Sequence, residues 1–377
     1  MQTKRFGLCA ALSAAALLLL AGCAGSGSTA APTLTVESSY PLQYAKQFTV
    51  DECTGGYELI TIADSQYLVV PQGAAVPEDL PQGTTVLQQP IENIYLVSTS
   101  AMDPIISLGA LDSIALSGTK ADGWYLPKAK AAMQAGQIAY AGKYSAPDYE
   151  TILASGCGLA IENTMIYHTP EVKEQLEKFG IPVLVERSSY ETDPLARMEW
   201  VKLYGILLGK KQEAEQLFDT QVQRVAPLEN QQPTGKSVAF FSITSNNLVT
   251  VRKGSDYVAR MIEMAGGSYV FDDLTDSGNN LATINLSLED FYAGAKDADV
   301  LLYNSTIEGS IASTEQLVEK CPLLAQFKAV QNGNVWCTAQ SLFQQSMELP
   351  DLILDMNRVF TEGTPADSEL TFLTHVE

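Results

Sequence analysis

The chain has 377 residues, 46% of them hydrophobic and 18% charged, proportions of a globular protein rather than a disordered one. Its formal net charge of -21 argues against nucleic acid or an anionic lipid surface as a partner and favours solubility. With only two histidines, His168 and His375, a three-histidine zinc or manganese site cannot be built.

The first 22 residues are predicted to be a signal peptide. Lys4 and Arg5 begin it, an apolar run from Leu8 to Leu20 follows, and Leu20-Ala21-Gly22 sets small residues ahead of Cys23. That ending resembles the lipobox of bacterial lipoproteins, in which the cysteine thiol carries a diacylglycerol. The apolar run falls short of the roughly 20 residues that span a bilayer. An uncleaved anchor would leave Cys23 without a role. Cleavage removes two cations and takes the charge to -23 (-21 minus 2). Residues 23–33, rich in Gly, Ser and Ala, make a flexible tether.

The remainder is long enough for two domains. Residues 34–193 are expected to form an N-terminal lobe, 194–235 a helical connector and 236–377 a C-terminal lobe. Phe48–Val50, Tyr57–Ile62 and Tyr67–Val70 are β-prone, and Asp64-Ser65 predicts a hairpin between the last two. From Thr85 onward apolar strands alternate with helical stretches, the sign of βαβ units and a parallel sheet. Predicted strands are Ile94–Ser98, Ser113–Leu116, Leu159–Ile161 and Val183–Val185; helices contain Pro104–Leu111, Tyr149–Ser155 and Glu171–Phe179. Asp193 caps a helical stretch ending at Gly209, and Lys211–Leu228 predicts a second helix of about 27 Å that would span between lobes. The alternation then restarts. Strands are expected at Ser237–Ile243, Leu248–Val251, Val300–Tyr303 and Asn334–Cys337. Helices are expected at Asp256–Ala265, Glu315–Glu319, Leu323–Lys328 and Leu349–Phe360.

Cys53, Cys157, Cys321 and Cys337 allow three disulfide pairings or four free thiols, and both readings stay open. No C-x-x-C, G-x-G-x-x-G, P-loop or G-x-S-x-G motif is present, so zinc, nucleotide and serine-hydrolase signatures are missing. His375 is expected to be solvated in the tail. What remains is a set of aromatic, basic and amide residues at strand-to-helix turns, where open α/β sheets hold ligands. Trp124, Tyr144, Tyr167, Arg187 and Tyr190 come from the first lobe, and Arg252, Asn304 and Trp336 from the second. Aromatic rings give contact area and arginine gives planar recognition of acids, which suits a bulky organic ligand. For each aromatic, packing in the core is the competing role.

A family resemblance emerges from four segments in order: Pro147-Asp148-Tyr149-Glu150-Thr151-Ile152-Leu153 with Gly158-Leu159-Ala160-Ile161; Gly180-Ile181-Pro182-Val183-Leu184-Val185; Leu203-Tyr204-Gly205-Ile206-Leu207-Leu208-Gly209-Lys210; and Ala265-Gly266-Gly267. Together they resemble class III substrate-binding proteins of ABC transporters, over roughly Val86 to Phe360. The resemblance implies an α/β fold of two Rossmann-like lobes joined by a single long α-helix, with the ligand cleft between them. It implies capture of an iron-siderophore, heme or corrinoid and delivery to an ABC permease, with no enzymatic activity and no resident cofactor or metal. It further implies a monomer held at the outer face of the cell membrane by lipidated Cys23. Glu150 matches the first-lobe glutamate that meets arginines of the permease. In the second lobe Ser268-Tyr269-Val270-Phe271 stands where the acidic partner is expected; Asp272 and Asp273 lie near, and that contact is unassigned. The alternatives are a metal-ion receptor, disfavoured by the histidine count, and an extracytoplasmic chelatase-like enzyme using His168 with Glu162.

Overall fold

The computed structural model describes residues 33–275 and 281–377, so the predicted signal peptide and Cys23 lie outside the described residues. Five strands open the fold: β1 (Val36–Ser39), β2 (Phe48–Cys53), β3 (Tyr57–Ile62), β4 (Ser65–Val70) and β5 (Thr85–Gln88). They lie in sequence order, antiparallel except that β5 runs parallel to β4. The hairpin turn falls on Ala63-Asp64, one residue before the predicted pair, and Ala63 takes the positive φ of 50° that tight hairpins require. Period-two alternation sorts the side chains. Phe48, Val50, Ile60, Ile62 and Val69 face the main core, while Cys53, Tyr57, Leu59, Leu68 and Val70 form a small outer cluster.

The first lobe follows with β6 (Ile94–Leu96), α1 (Met102–Ser107), β7 (Ile114–Ser117), α2 (Pro127–Gln134) and β8 (Ala139–Tyr140). A short ribbon of β9 (Gly142–Lys143) and β10 (Ala146–Pro147) leads to α3 (Tyr149–Ala154), β11 (Ala160–Glu162), α4 (Pro170–Lys178) and β12 (Val183–Val185). The sheet order is β12-β11-β6-β7-β8, all parallel. β6 and β12 read as unbroken, buried apolar runs because both of their faces are covered, whereas β8 at the edge is exposed.

Two helices connect the lobes, α5 (Pro194–Leu207) and α6 (Lys211–Val225). Asp193 caps α5 by accepting the Leu195 N–H at 2.8 Å. All fourteen residues of α5 are buried, so this helix is part of the core and not a free rod. Gly209, at φ 67°, turns the chain, and Gly205 lets α6 approach closely: a Cβ there would lie 2.4 Å from that of Ala214. The amphipathic α6 is tied at its start by Lys211 to Glu52 (2.5 Å) and Glu58 (2.6 Å), and at its end by Arg224 to Asp351. Both helices expected between Asp193 and Leu228 are present, and they pack against each other.

The second lobe contains β13 (Ser237–Ile243), β14 (Val249–Arg252), α7 (Tyr257–Met264), β15 (Ser268–Tyr269), β16 (Thr283–Leu286), α8 (Leu288–Ala295) and β17 (Val300–Tyr303). It ends with α9 (Ser305–Glu308), α10 (Thr314–Lys320), α11 (Lys328–Gln331), β18 (Val335–Thr338), α12 (Leu349–Glu362) and β19 (Leu373–His375). The order is β16-β14-β13-β17-β18-β19, with β15 beside the start of β13. β13, β17 and β18 are parallel; β14, β16 and β19 run against their neighbours. Phe241, Phe291, Phe271 and Phe327 stack beneath this sheet at centroid distances of 4.9 to 5.8 Å. The tail is a strand rather than a solvated end: the His375 ring sits 4.8 Å from that of Trp336, and Nε2 is 2.7 Å from the Gly333 carbonyl oxygen. All four described cysteines are free.

Buried charge on and around α5 is matched group by group. Glu199 accepts the N–H groups of Gln43, Tyr44 and Ala45 at 2.7 to 3.1 Å and pairs with Lys202 at 2.7 Å. Removing one partner of such a set leaves the others unpaired out of water. Glu199→Ala is therefore expected to cost about 3–5 kcal/mol, read as a lowered urea midpoint with an unchanged slope; a midpoint within error of wild type would refute the clamp.

Two further carboxyls are held neutral. Glu162 is fully buried with no hydrogen-bond partner on either oxygen among the described residues, and burial pushes it to about 8. Glu348 is raised to about 8 by burial and by sharing a site with Asp103 across the lobes. Both ionise near 4.5 in the unfolded chain and only near 8 in the folded one, so folding retains their protons between those values. Their contribution is complete below about 4.5 and is lost as pH climbs through about 8. The urea midpoint should fall across that window, and Glu162→Gln should flatten the fall. A midpoint that rises with pH would contradict the assignment.

Candidate functional site

The carboxyl ends of the first lobe's parallel strands carry the loops where an open α/β sheet exposes ligand contacts. Four exposed large side chains lie on these loops: Tyr125 after β7, Tyr140 at the end of β8, and Met165 and Tyr167 after β11, each 42–48% exposed. The β12 turn adds Arg187. Its Nη1 donates to the Tyr167 hydroxyl at 3.3 Å, its Nε and Nη2 donate to Gln47 Oε1 at 3.4 and 3.3 Å, and its guanidinium lies 4.5 Å from the Tyr190 ring centre. Among the described residues no carboxylate is within ion-pair distance of Arg187. The neighbouring Glu186 turns inward instead, accepting from Ser98 Oγ at 2.9 Å, Ser100 Oγ at 3.0 Å and the Ser188 N–H at 2.8 Å. A cation in a strongly acidic protein is left to face an aromatic edge.

On the sheet face of the second lobe lies a cavity of about 270 Å³, walled by Phe240, Ser242, Thr250, Arg252, Asn285 and Phe343. Register explains the lining. Ser242 faces Thr250, Thr250 faces Asn285 and Arg252 faces Thr283, so alternate residues of β13, β14 and β16 share one polar face. Arg252 stacks on the Phe343 ring at 4.6 Å and reaches Asp256 at 3.6 Å. Asn304 caps α9, accepting from the Thr306 N–H at 3.2 Å and its hydroxyl at 2.8 Å, and also lines the cavity.

The loop after β18 brings the two surfaces together. Gln344, adjacent in the chain to the cavity residue Phe343, accepts the Tyr125 N–H and donates to the Gly123 carbonyl, both at 2.8 Å. Ser346 Oγ donates to the Ser100 carbonyl at 3.0 Å, and the Met347 N–H donates to Asp103 at 2.8 Å. The loop after β18 thus ties the first lobe at Gly123, Tyr125, Ser100 and Asp103 to the segment that follows the cavity residue Phe343.

Of the predicted ligand residues, Tyr167, Arg187 and Tyr190 form one cluster and Arg252 with Asn304 another. Tyr144 is half-buried against the core beneath α3. Trp124 and Trp336 are corrections: at 1% and 0% exposure they offer no surface to a ligand. Trp124 donates its indole N–H to Ser117 Oγ at 3.2 Å, and Trp336 packs on His375. In the pair Trp124-Tyr125 it is the tyrosine that faces out. Gln47, Phe343 and Gln344 carry no local signal, since each acts on a residue far away in sequence. Glu150 stands exposed in the first turn of α3, whose cap Asp148 accepts the Thr151 N–H at 3.1 Å. Asp272 and Asp273 are exposed beside Gly254, before α7. His168 is exposed whereas Glu162 is fully buried, which separates the pair considered for an enzyme. No group of three or more metal-ligating side chains occurs among the described residues, and none of their helices is long and apolar enough to cross a membrane.

Comparison with known proteins agrees with this architecture. An uncharacterized lipoprotein of Methanocaldococcus jannaschii is 27% identical over 241 residues, 62% of this chain and 55% of that protein. The chain spans about half the length of the curated relatives it matches. A periplasmic heme binding protein of Pseudomonas aeruginosa superposes with a TM-score of 0.58 at 17% identity, over 76% of this chain and 99% of that one. An ABC-type Fe3+-hydroxamate transport system of Saccharomonospora viridis gives 0.56 at 22% identity, over 72% and 94%. At these identities the likeness establishes the two-lobed fold alone. The family model for periplasmic binding proteins matches residues 95–341, about two thirds of the chain, and the chain belongs to that family.

Proposed function

We propose that the protein is the extracytoplasmic receptor of an ABC importer. It takes up an iron-siderophore, heme or a corrinoid between its lobes and presents it to the permease. The observation that carries this reading is Arg187, which has no carboxylate partner among the described residues and sits beside the exposed Tyr167, with Arg252 and Asn304 lining a cavity on the second lobe. Rings supply area at low entropic cost, and a guanidinium without a carboxylate partner keeps its charge for a ligand acid group. The heme and hydroxamate proteins of similar fold point to the same ligand class. Binding and release need no covalent step, so no residue is assigned a catalytic role.

Lipidation of Cys23 would hold the receptor at the outer face of the membrane. Its relative in Methanocaldococcus jannaschii is named a lipoprotein. Glu150, exposed at the start of α3, is the first-lobe contact for permease arginines; a surface carboxylate suits such docking because it pairs and releases without a desolvation barrier. The receptor acts as a monomer, one ligand per chain.

Native mass spectrometry of the purified chain with hemin, a ferric tricatecholate, a ferric trihydroxamate and cyanocobalamin tests the ligand class; a chain that retains none of them refutes the reading. Arg187→Ala should weaken binding of the retained ligand by roughly ten- to a hundredfold, the loss of a charge-assisted contact. Its ligand-free melting temperature should stay near that of wild type, because the side chain is half-exposed and makes no ion pair. Unchanged tryptophan quenching by the ligand would remove Arg187 from the site. In vesicles carrying the permease, Glu150→Arg should slow uptake while leaving the Kd for ligand alone; equal uptake would dismiss Glu150 as a docking residue.

A further inference from the structure

We infer that the N-terminal sheet, outside the residues matched to the family, is a working part of the binding site, with Gln47 as the positioning residue that aims Arg187 at an acidic group of the bound molecule. The inference rests on the reading of Arg187 as a ligand contact.

The chain between β1 and β2 is fixed by its backbone. Five consecutive N–H groups, from Gln43 to Gln47, end on two glutamates: the first three on Glu199, and those of Lys46 and Gln47 on Glu191 at 2.9 to 3.1 Å. Glu191 is itself buried and accepts the Trp200 indole N–H at 3.1 Å. Oriented amides converging on a carboxylate hold a loop as firmly as a short piece of regular structure. The main chain of Gln47 is therefore anchored to α5 and to the turn after β12, independently of what its side chain does.

That side chain then reaches the site. Its Oε1 receives Nε and Nη2, one edge of the Arg187 guanidinium, while the Tyr190 ring supports the face and Tyr167 meets Nη1. An arginine side chain otherwise loses considerable rotamer entropy when it engages a ligand. Here the planar fork is oriented beforehand. The neutrality of Gln47 matters. A carboxylate at this position would hold the fork equally well but cancel its charge. An amide orients the cation and leaves the charge to the ligand.

The test uses the two anionic probes, hemin and the ferric tricatecholate, beside the neutral ferric trihydroxamate. The wild-type chain should prefer an anionic probe. Gln47→Ala should weaken that binding about fivefold, one hydrogen bond's worth. Gln47→Glu should weaken it more, tenfold or beyond, and neither change should matter once Arg187→Ala is present. Melting temperatures without ligand should agree with wild type, because the loop is held by backbone N–H groups. A purely structural role for Gln47 would instead lower the melting temperature of Gln47→Ala and leave affinity independent of ligand charge. Wild-type or tighter binding of the anionic probe by Gln47→Glu overturns the inference, as does a wild-type chain that retains only the neutral complex; the receptor reading survives both. A chain that retains only cyanocobalamin overturns the inference alone, and one that retains neither these probes nor cyanocobalamin overturns both readings together.

Discussion

A helix with every side chain out of water must satisfy every charge it carries, and this constraint on α5 organises the molecule. Between Pro194 and Leu207 lie Arg197, Glu199 and Lys202, all buried. Each recruits a partner from a different part of the chain. Arg197 donates to the Ser188 carbonyl of the first lobe at 3.0 Å and lies 4.2 Å over the Tyr257 ring of the second. Glu199 gathers the N-terminal loop, and Lys202 neutralises it beside the Phe218 ring of α6. The apolar remainder of α5 belongs to one continuous core running from the N-terminal sheet through the first lobe's inner face to α7 and α12. The polar groups act as the register marks of that core. Apolar surface alone would tolerate sliding, whereas a buried carboxylate matched to three amides does not.

A shared core limits how a ligand can be taken up. Wide separation of the lobes would expose α5 and strand its charges, each at several kcal/mol. Motion is therefore confined to what the loops between the lobes permit, chiefly residues 123–125 and 344–348 with their few hydrogen bonds. Such contacts are individually worth about 1 kcal/mol, so a ligand gripping both lobes can repay their rearrangement.

Much of this architecture was legible because its signals are local. β3, β12, β13 and β17 are apolar runs whose ends fall where the residues change character, and Asp193 and Asp256 announce their helices as caps. The misses are also physical. Thr283–Leu286 is a short, half-polar edge strand whose character comes from pairing with β14, and α8 after it is marked only by Ser287, which caps Asp290 at 3.0 Å. β19 owes its existence to the partner strand β18, so the tail looked solvated. Arg187 could be singled out because a cation at a strand end needs an explanation. Trp124 and Trp336 could not be sorted, since a large ring at a turn has the same composition whether it faces a ligand or the core.

On the proposed reading of Arg187, an element outside the residues matched to the family bears on ligand binding. Arg187 and Gln47 lie 140 residues apart, and nothing in either neighbourhood requires the other. Their meeting follows from α5: Glu191 precedes it by three residues and Glu199 sits in its middle, and both glutamates spend their lone pairs on the loop that ends at Gln47. Any change that shifts α5 moves that loop, and with it the orientation of the guanidinium. The N-terminal sheet is thereby coupled to Arg187 through a chain of hydrogen bonds by way of Glu191 and Gln47. On the proposed reading of Arg187 as a ligand contact, affinity depends on residues that pack α5 as well as on those that line the cleft.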